Sequence, residues 1–376
     1  MKALFLVTLL FSMLFPLLTL ADNPRKVKIA SGGHIVHFLP LDIAVEHGFF
    51  QEQGLKPDVT YIKGGTATAQ ALLSGQVDFS TNSIDHAFKA AIQGKDNLRM
   101  VVLMNRLPGM VLVVDAKYRD TVSQIADLKG LTLGVTSKGS ATHMVLNYLL
   151  SRNGVSPHEV TVLKAGSSTF PPALQNEQIA GGIALEPFAS ILVEKGDAFV
   201  LADLRTLEGT ERVFGGPYNQ AGILTRQEIV ETDPVFVRKV VAAIVKALNW
   251  IEKHSPEEIA ASLPPSIIGT DKARYIKTLR QLREFYSSDG LVIPEGVNNV
   301  FRSMRISGTL PENASIEQAR FYTNHFIADV PKIKGDTRIP GAKNDQNSNF
   351  GYLTIYIVLA IIAVIGGILL LIRRGK

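Results

Sequence analysis

Residues 128–144 read LKGLTLGVTSKGSATHM. An apolar run of strand length at 131–135 passes into a small polar loop at 136–140, and 141–152 then carries helical spacing. This order brings backbone N–H groups and hydroxyls to a helix N-terminus, where an anion or polar group is favoured. The same pattern also describes an ordinary turn capped by Ser140. A further strand at 160–163 and the segment IAGGIALEPF at 179–188 complete the unit.

Related units lie upstream. A strand at 27–30 precedes Ser31-Gly32-Gly33-His34, a strand at 59–62 precedes Lys63-Gly64-Gly65-Thr66, and a strand at 77–80 precedes Thr81-Asn82-Ser83. A helix follows each loop. Such repetition predicts a parallel α/β sheet whose loops gather beyond the carboxyl ends of the strands. The pattern breaks at 105–109 and again at Gly215-Gly216-Pro217-Tyr218-Asn219. The two breaks suggest two hinge crossings. They divide the chain into lobe 1 at 25–110, lobe 2 at 111–215, and a return with packing helices at 216–330. Helices are predicted over 234–252, from 255 onward, over 271–286 and over 315–327. A ligand would sit between the lobes, where closure removes water.

The 376 residues suffice for two lobes with a sizeable core. The net charge of +5 comes with no basic block in the body, which argues against nucleic acid as a partner. There is no cysteine, which excludes disulfides, thiolate metal sites, a cysteine nucleophile and lipid attachment at an N-terminal cysteine. Residues 1–21 read as a signal peptide, cleaved after Ala21, with an uncleaved anchor as the rival. Residues 331–351 read as a polar stalk. The 21 uncharged residues at 352–372, followed by Arg373, Arg374 and Lys376, read as a transmembrane helix with a short cytoplasmic tail. The soluble body is then expected outside the cell membrane, as a monomer.

The candidate ligand-binding residues are His34, Gly64, Gly65, Thr66, Ser83, Ser137, Ser140, Thr142, Glu186 and Asn219. Each has a plainer alternative. His34 and His37 are three apart, yet no carboxylate completes a metal pattern, and no metal or cofactor is expected. Gly64-Gly65-Thr66 allows close backbone approach to a polar ligand, or simply caps a helix; it is neither a Walker loop nor a dinucleotide fingerprint. Ser83, Ser137, Ser140, Thr142 and Asn219 are neutral donors on or beside loops. No base is placed to activate a serine, so no catalytic residue is assigned. Glu186 ends an apolar strand before a proline. Facing the cleft it would accept from a cationic or amide group; facing away it is a helix-start carboxylate.

Four segments carry a family resemblance: LDIAVEHGFFQEQGLKPDV, IKGGTATAQALLSGQVDFSTNS, IADLKGLTLGVTSKGSATHMVLNYLL and IALEPFAS. In order and spacing they resemble the nitrate/sulfonate/taurine-binding group of ABC-importer substrate-binding proteins, which includes thiamine-pyrimidine-precursor-binding relatives. The resemblance covers roughly residues 25–330. It implies a two-lobed, hinged, periplasmic-binding-protein-like α/β fold (type II), here with an added C-terminal transmembrane helix. It further implies that the chain binds a small polar nitrogen- or sulfur-containing solute and hands it to a permease driven by a cytoplasmic ATPase. The related pyrimidine synthases use metal-binding residues that include cysteine, and this chain has none. An enzyme on the same fold and the binding subunit of a membrane sensor are the alternatives.

Overall fold

A computed structural model describes residues 23–95, 97–311 and 313–327. Two five-stranded mixed sheets organise these residues. The first contains β1 (Arg25–Ser31), β2 (Leu55–Tyr61), β3 (Phe79–Ser83), β4 (Leu98–Asn105) and β10 (Ala221–Arg226), in the order β2-β1-β3-β10-β4. The second contains β5 (Met110–Asp115), β6 (Thr132–Val135), β7 (Thr161–Lys164), β8 (Gly181–Leu185) and β9 (Ala198–Asp203), in the order β7-β6-β8-β5-β9. In each sheet the first three strands of that order are parallel, and the fourth runs antiparallel to both its neighbours. The chain passes from the first sheet to the second between β4 and β5, and returns between β9 and β10. This is a type II periplasmic-binding arrangement.

The strands follow from their sequences. All eight positions of β4 are buried, as are all five of β3 and of β8. Helices cover both faces of such strands, so β4 and β8 run largely apolar without alternation, whereas β3, reaching the cleft, carries Ser80, Thr81, Asn82 and Ser83. In β8 this packing depends on Gly182. Its φ is +145°, and a Cβ there would lie 2.2 Å from the carbonyl oxygen of Gly134 on the neighbouring β6. Two backbones meet where no side chain fits.

The helix Pro234–Lys253 buries Val237, Val240, Val241, Ile244, Leu248 and Ile251 against the first sheet and the helix Leu39–Glu46. Its other face carries Arg238, Lys239, Lys246, Glu252 and Lys253, a two-faced pattern for a surface helix. Two expectations for this region change. Residues 315–327 hold no α-helix, only a short 3-10 turn at Gln318–Phe321, and Tyr322 bridges to Met100 of β4. A helix the pattern had not revealed, Pro294–Ile306, packs on Ala141–Arg152 of the second lobe and on Asp85–Ile92 of the first. Gly296, Asn299 and Ser303 lie on its buried face. Small and polar residues there break the apolar stripe by which helices are recognised.

The expected transmembrane helix also requires correction. Among the described residues no helix is long and apolar enough to cross a membrane. The longest, Pro234–Lys253, bears the charged face just named. Residues 352–372, to which the span was assigned, lie outside the described residues, as do the signal segment at 1–21 and the stalk at 331–351. The fold is therefore stated without a span, and neither a membrane tether nor a cytoplasmic tail is carried forward.

Replacing Gly182 with alanine is expected to destabilise the protein by about 3 kcal/mol, through backbone strain and collision with β6. Urea denaturation of the variant measures this. An unchanged midpoint refutes the close approach.

Candidate functional site

The carboxyl ends of the parallel strands of both sheets converge on one cleft, with a cavity of about 100 Å³. The first lobe contributes Gly32 and Phe38 after β1, Gly64 and Gly65 after β2, and Asn82, Ser83 and His86 from β3 and its helix. The second contributes Thr136, Ser140 and Thr142 after β6 and Leu185 from β8. Met110, Gln220 and Ala221, at the two crossings, also line it. The loops touch across the cleft: a Cβ on Gly64, whose φ is +99°, would come within 3.3 Å of Ser137 Oγ. The lobes are thus closed on one another.

Polar groups in the cleft divide into two kinds. At the start of Ala141–Arg152, three hydroxyls satisfy one another. Ser140 Oγ and Thr142 Oγ1 are 2.8 Å apart, and Thr136 Oγ1 is 3.0 Å from the first and 2.8 Å from the second. Ser140 Oγ also accepts from the His143 N–H, capping the helix. The other kind lacks a protein partner: the Oγ of Ser83 and Ser137, Thr66 Oγ1, His86 Nε2, Gln220 Oε1 and His37 Nδ1 are buried without one. An unsatisfied buried polar atom is costly, so a cluster of them in a cleft makes it the candidate place for a ligand.

His37 lies at 4% exposure, with Nε2 3.3 Å from the Pro108 carbonyl oxygen. That acceptor requires the proton on Nε2, leaving Nδ1 an acceptor. Burial, partly opposed by the bond to Pro108, pushes the imidazole down to about 4. Asp85, fully buried beside the cleft, is held well below the usual carboxylate range: burial alone would raise it, but His86 and Lys89 prevail.

The expected residues do not all meet here. Gly64, Gly65, Ser83, Ser140 and Thr142 line the cleft, and Thr66 and Ser137 stand where its loops touch. His34 is turned onto Asp42, at 2.9 Å, beneath the Tyr61 ring. The bond to Asp42 raises the His34 pKa, and burial raises that of Asp42. Asn219 is buried in packing, its Nδ2 donating to the Ile293 carbonyl at 2.7 Å. Glu186 is buried, with Oε1 2.5 Å from Arg205 Nη1 and 2.9 Å from Ser190 Oγ; it does not line the cleft. Phe38, His37, Asn82, His86 and Gln220 were not singled out as ligand contacts. For Gln220 the available signal was its place beside Asn219 at a crossing.

Among the described residues no group of histidine and carboxylate side chains is arranged to hold a metal. A larger cavity, of about 560 Å³, lies in the second lobe between Ala141–Arg152, β9 and Leu207–Phe214, and shares no lining residue with this cleft.

Residues 21–263 match the NMT1-like family. The chain belongs to that family. YtlA of Bacillus subtilis, named as a binding protein, is 28% identical over 319 residues, 79% of this chain and 88% of YtlA. The riboflavin-binding protein RibY of Chloroflexus aurantiacus is 22% identical, covering 78% of this chain and 83% of RibY. A solved structure from Bordetella bronchiseptica superposes with a TM-score of 0.76 at 30% identity, covering 81% of this chain and 96% of the other. The structures it superposes on, a periplasmic sulfonate-binding protein from Methylobacillus flagellatus among them (TM-score 0.62, 18% identity), share its periplasmic-binding-protein fold.

Two outcomes follow for the NMT1-like chain. Unfolded histidine titrates near ~6.5 and folded His37 at about 4. Between these values the unfolded chain binds the extra proton, so stability falls as pH drops through that window, by up to ~3 kcal/mol from His37. His47, also lowered to about 4 by burial and the nearby His254, acts in the same direction. Denaturation at several pH values should show this slope, and His37→Leu should flatten it. Second, Glu186→Gln should cost about 2 kcal/mol by weakening the buried pair with Arg205, while solute affinity stays within about twofold. Calorimetry that finds binding lost in a folded variant contradicts this placement.

Proposed function

We propose that this protein captures a small, uncharged, nitrogen-containing solute of single-ring size in the interlobe cleft and delivers it to an ABC permease powered by a cytoplasmic ATPase. One observation carries the reading. Ser83, His86 and Gln220 present unpartnered polar atoms to a cleft that, among the described residues, no Lys, Arg, Asp or Glu side chain lines. A bare anion such as nitrate or a sulfonate calls for a paired cation or several converging donors. Here the polar groups are hydroxyl, amide and imidazole, and Phe38, Ile35, Met110 and Leu185 supply apolar walls. A flat ring bearing amide, amino or ring-nitrogen groups suits both.

Size narrows the class further. The cavity of about 100 Å³ is smaller than an engineered cavity of ~150 Å³ known to admit benzene, so a single ring fits only with slight opening. A fused three-ring solute such as riboflavin requires a much wider cleft. Burial of the solute by both lobes would present a closed face to the permease, and opening there would release it. No covalent step is required.

Calorimetry and native mass spectrometry of the purified protein with 4-aminopyrimidines, nitrate and an alkanesulfonate separate these classes. The aminopyrimidines are expected to bind and the anions not; tighter binding of either anion overturns the reading. Ser83→Ala is expected to weaken solute binding by about 5- to 10-fold, the worth of one hydrogen bond. Its melting temperature should hold or rise slightly, because the deleted hydroxyl has no partner in the protein.

A further inference from the structure

The helix Asp85–Ile92 begins two residues after β3 ends and carries Asp85, His86 and Lys89 in its first turns. Asp85 is wholly buried, with Oδ2 2.5 Å from Lys89 Nζ and Oδ1 3.2 Å from His86 Nδ1. His86 lines the cleft and leaves Nε2 without a protein partner. Lys89, one turn on, also donates to the carbonyl of Gly139 at 2.7 Å. Gly139 belongs to the other lobe, in the loop between β6 and Ala141–Arg152, and its N–H donates to His143 Nδ1 at 3.0 Å. The ammonium thus ties a buried carboxylate of one lobe to a main-chain carbonyl of the other, next to the cleft.

We propose that Lys89 is a positioning residue for solute retention: anchored by Asp85, it holds the 136–140 loop over the cleft and sets the rate at which solute escapes. The inference rests on capture by lobe closure, as described above. An ammonium taken partly out of water needs a charged partner, and Asp85 supplies it. In this closed arrangement its second protein acceptor is the Gly139 carbonyl of the other lobe, a bond that opening of the lobes exchanges for water. Because His86 and Lys89 share Asp85, a solute that orders His86 also steadies the strap. Interlobe ion pairs of Glu194, with Arg274 at 3.2 Å and with Lys277 at 2.8 Å, lie on a more exposed rim. Solvent leaves such pairs little strength.

The test uses the full chain. Because it has no cysteine, Gln70→Cys and Arg152→Cys provide two clean spin-label sites, one per lobe. Without added solute, Lys89→Met should shift the interlobe distances measured by electron–electron resonance to longer, broader values. Lys89→Arg and Glu194→Gln should keep the parent distribution. The double change Asp85→Asn with Lys89→Met, which strands no charge, should open as Lys89→Met does, so misfolding of the single variant does not decide the matter. With 4-aminopyrimidine as probe, stopped-flow dissociation should speed up by about 10- to 100-fold, the worth of a hydrogen bond to a charged group, while association changes little. Unchanged distances in the methionine variants, or unchanged dissociation, overturn the proposal. The distances are read without solute, so failure of the probe to bind counts against the solute class and leaves the strap decided by the distances.

Discussion

The pairing of β10 between β3 and β4 constrains the whole molecule. β10 comes from the far side of the second lobe, yet hydrogen-bonds to both strands of the first sheet. The second sheet has the mirror feature, with β5 lying antiparallel between β8 and β9. Each sheet is thus completed by a strand next to a crossing. Both crossings must run past the carboxyl ends of the parallel strands. Met110, Gln220 and Ala221 line the cleft for this reason, whatever solute it holds. In open parallel sheets ligands gather at strand ends; here the connections make those ends face each other.

Charge is kept away from the cleft by pairing it elsewhere. Glu186 and Asp203 both engage Arg205. Burial would raise the Asp203 pKa, but hydrogen bonds and charge from Arg205 hold it below the usual range. Asp85 is paired with Lys89 on the same helix. What remains for a solute is neutral polarity. The hydroxyls of Thr136, Ser140 and Thr142 largely satisfy one another, which makes them a rigid wall. Ser83, His86 and Gln220 stay available. Preorganised neutral groups recognise a ligand without the desolvation cost of a buried unpaired charge.

The helix Pro294–Ile306 adds a second link between the lobes. The Phe301 and Phe88 rings are 5.4 Å apart on the first-lobe side. On the other, Asn299 donates to the Pro217 carbonyl and Arg302 to that of Phe214. Apolar packing tolerates small sliding motions better than it tolerates separation. Lobe movement pivoting at this helix would open the loop side, where contacts are few and polar.

The strand–loop–helix units were legible in the sequence because their apolar runs, small loops and helical spacing are local. The glycine at Gly64 was equally visible, since close backbone approach has no substitute for a missing side chain. The direction of each polar side chain was not legible. Glu186 reads as either a cleft carboxylate or a buried partner; Arg205, nineteen residues on, takes it up. His34 stands beside the first loop in sequence but binds Asp42, eight residues away. Asn219 and Gln220 are adjacent, yet one packs against Ile293 while the other reaches the cleft. Periodicity by itself determined the α/β class and most element types, though not the helix Pro294–Ile306, because it depends on neighbours along the chain. Only the tertiary structure decided which polar groups are satisfied and which await a solute, because hydrogen-bond partners are set by residues distant in sequence.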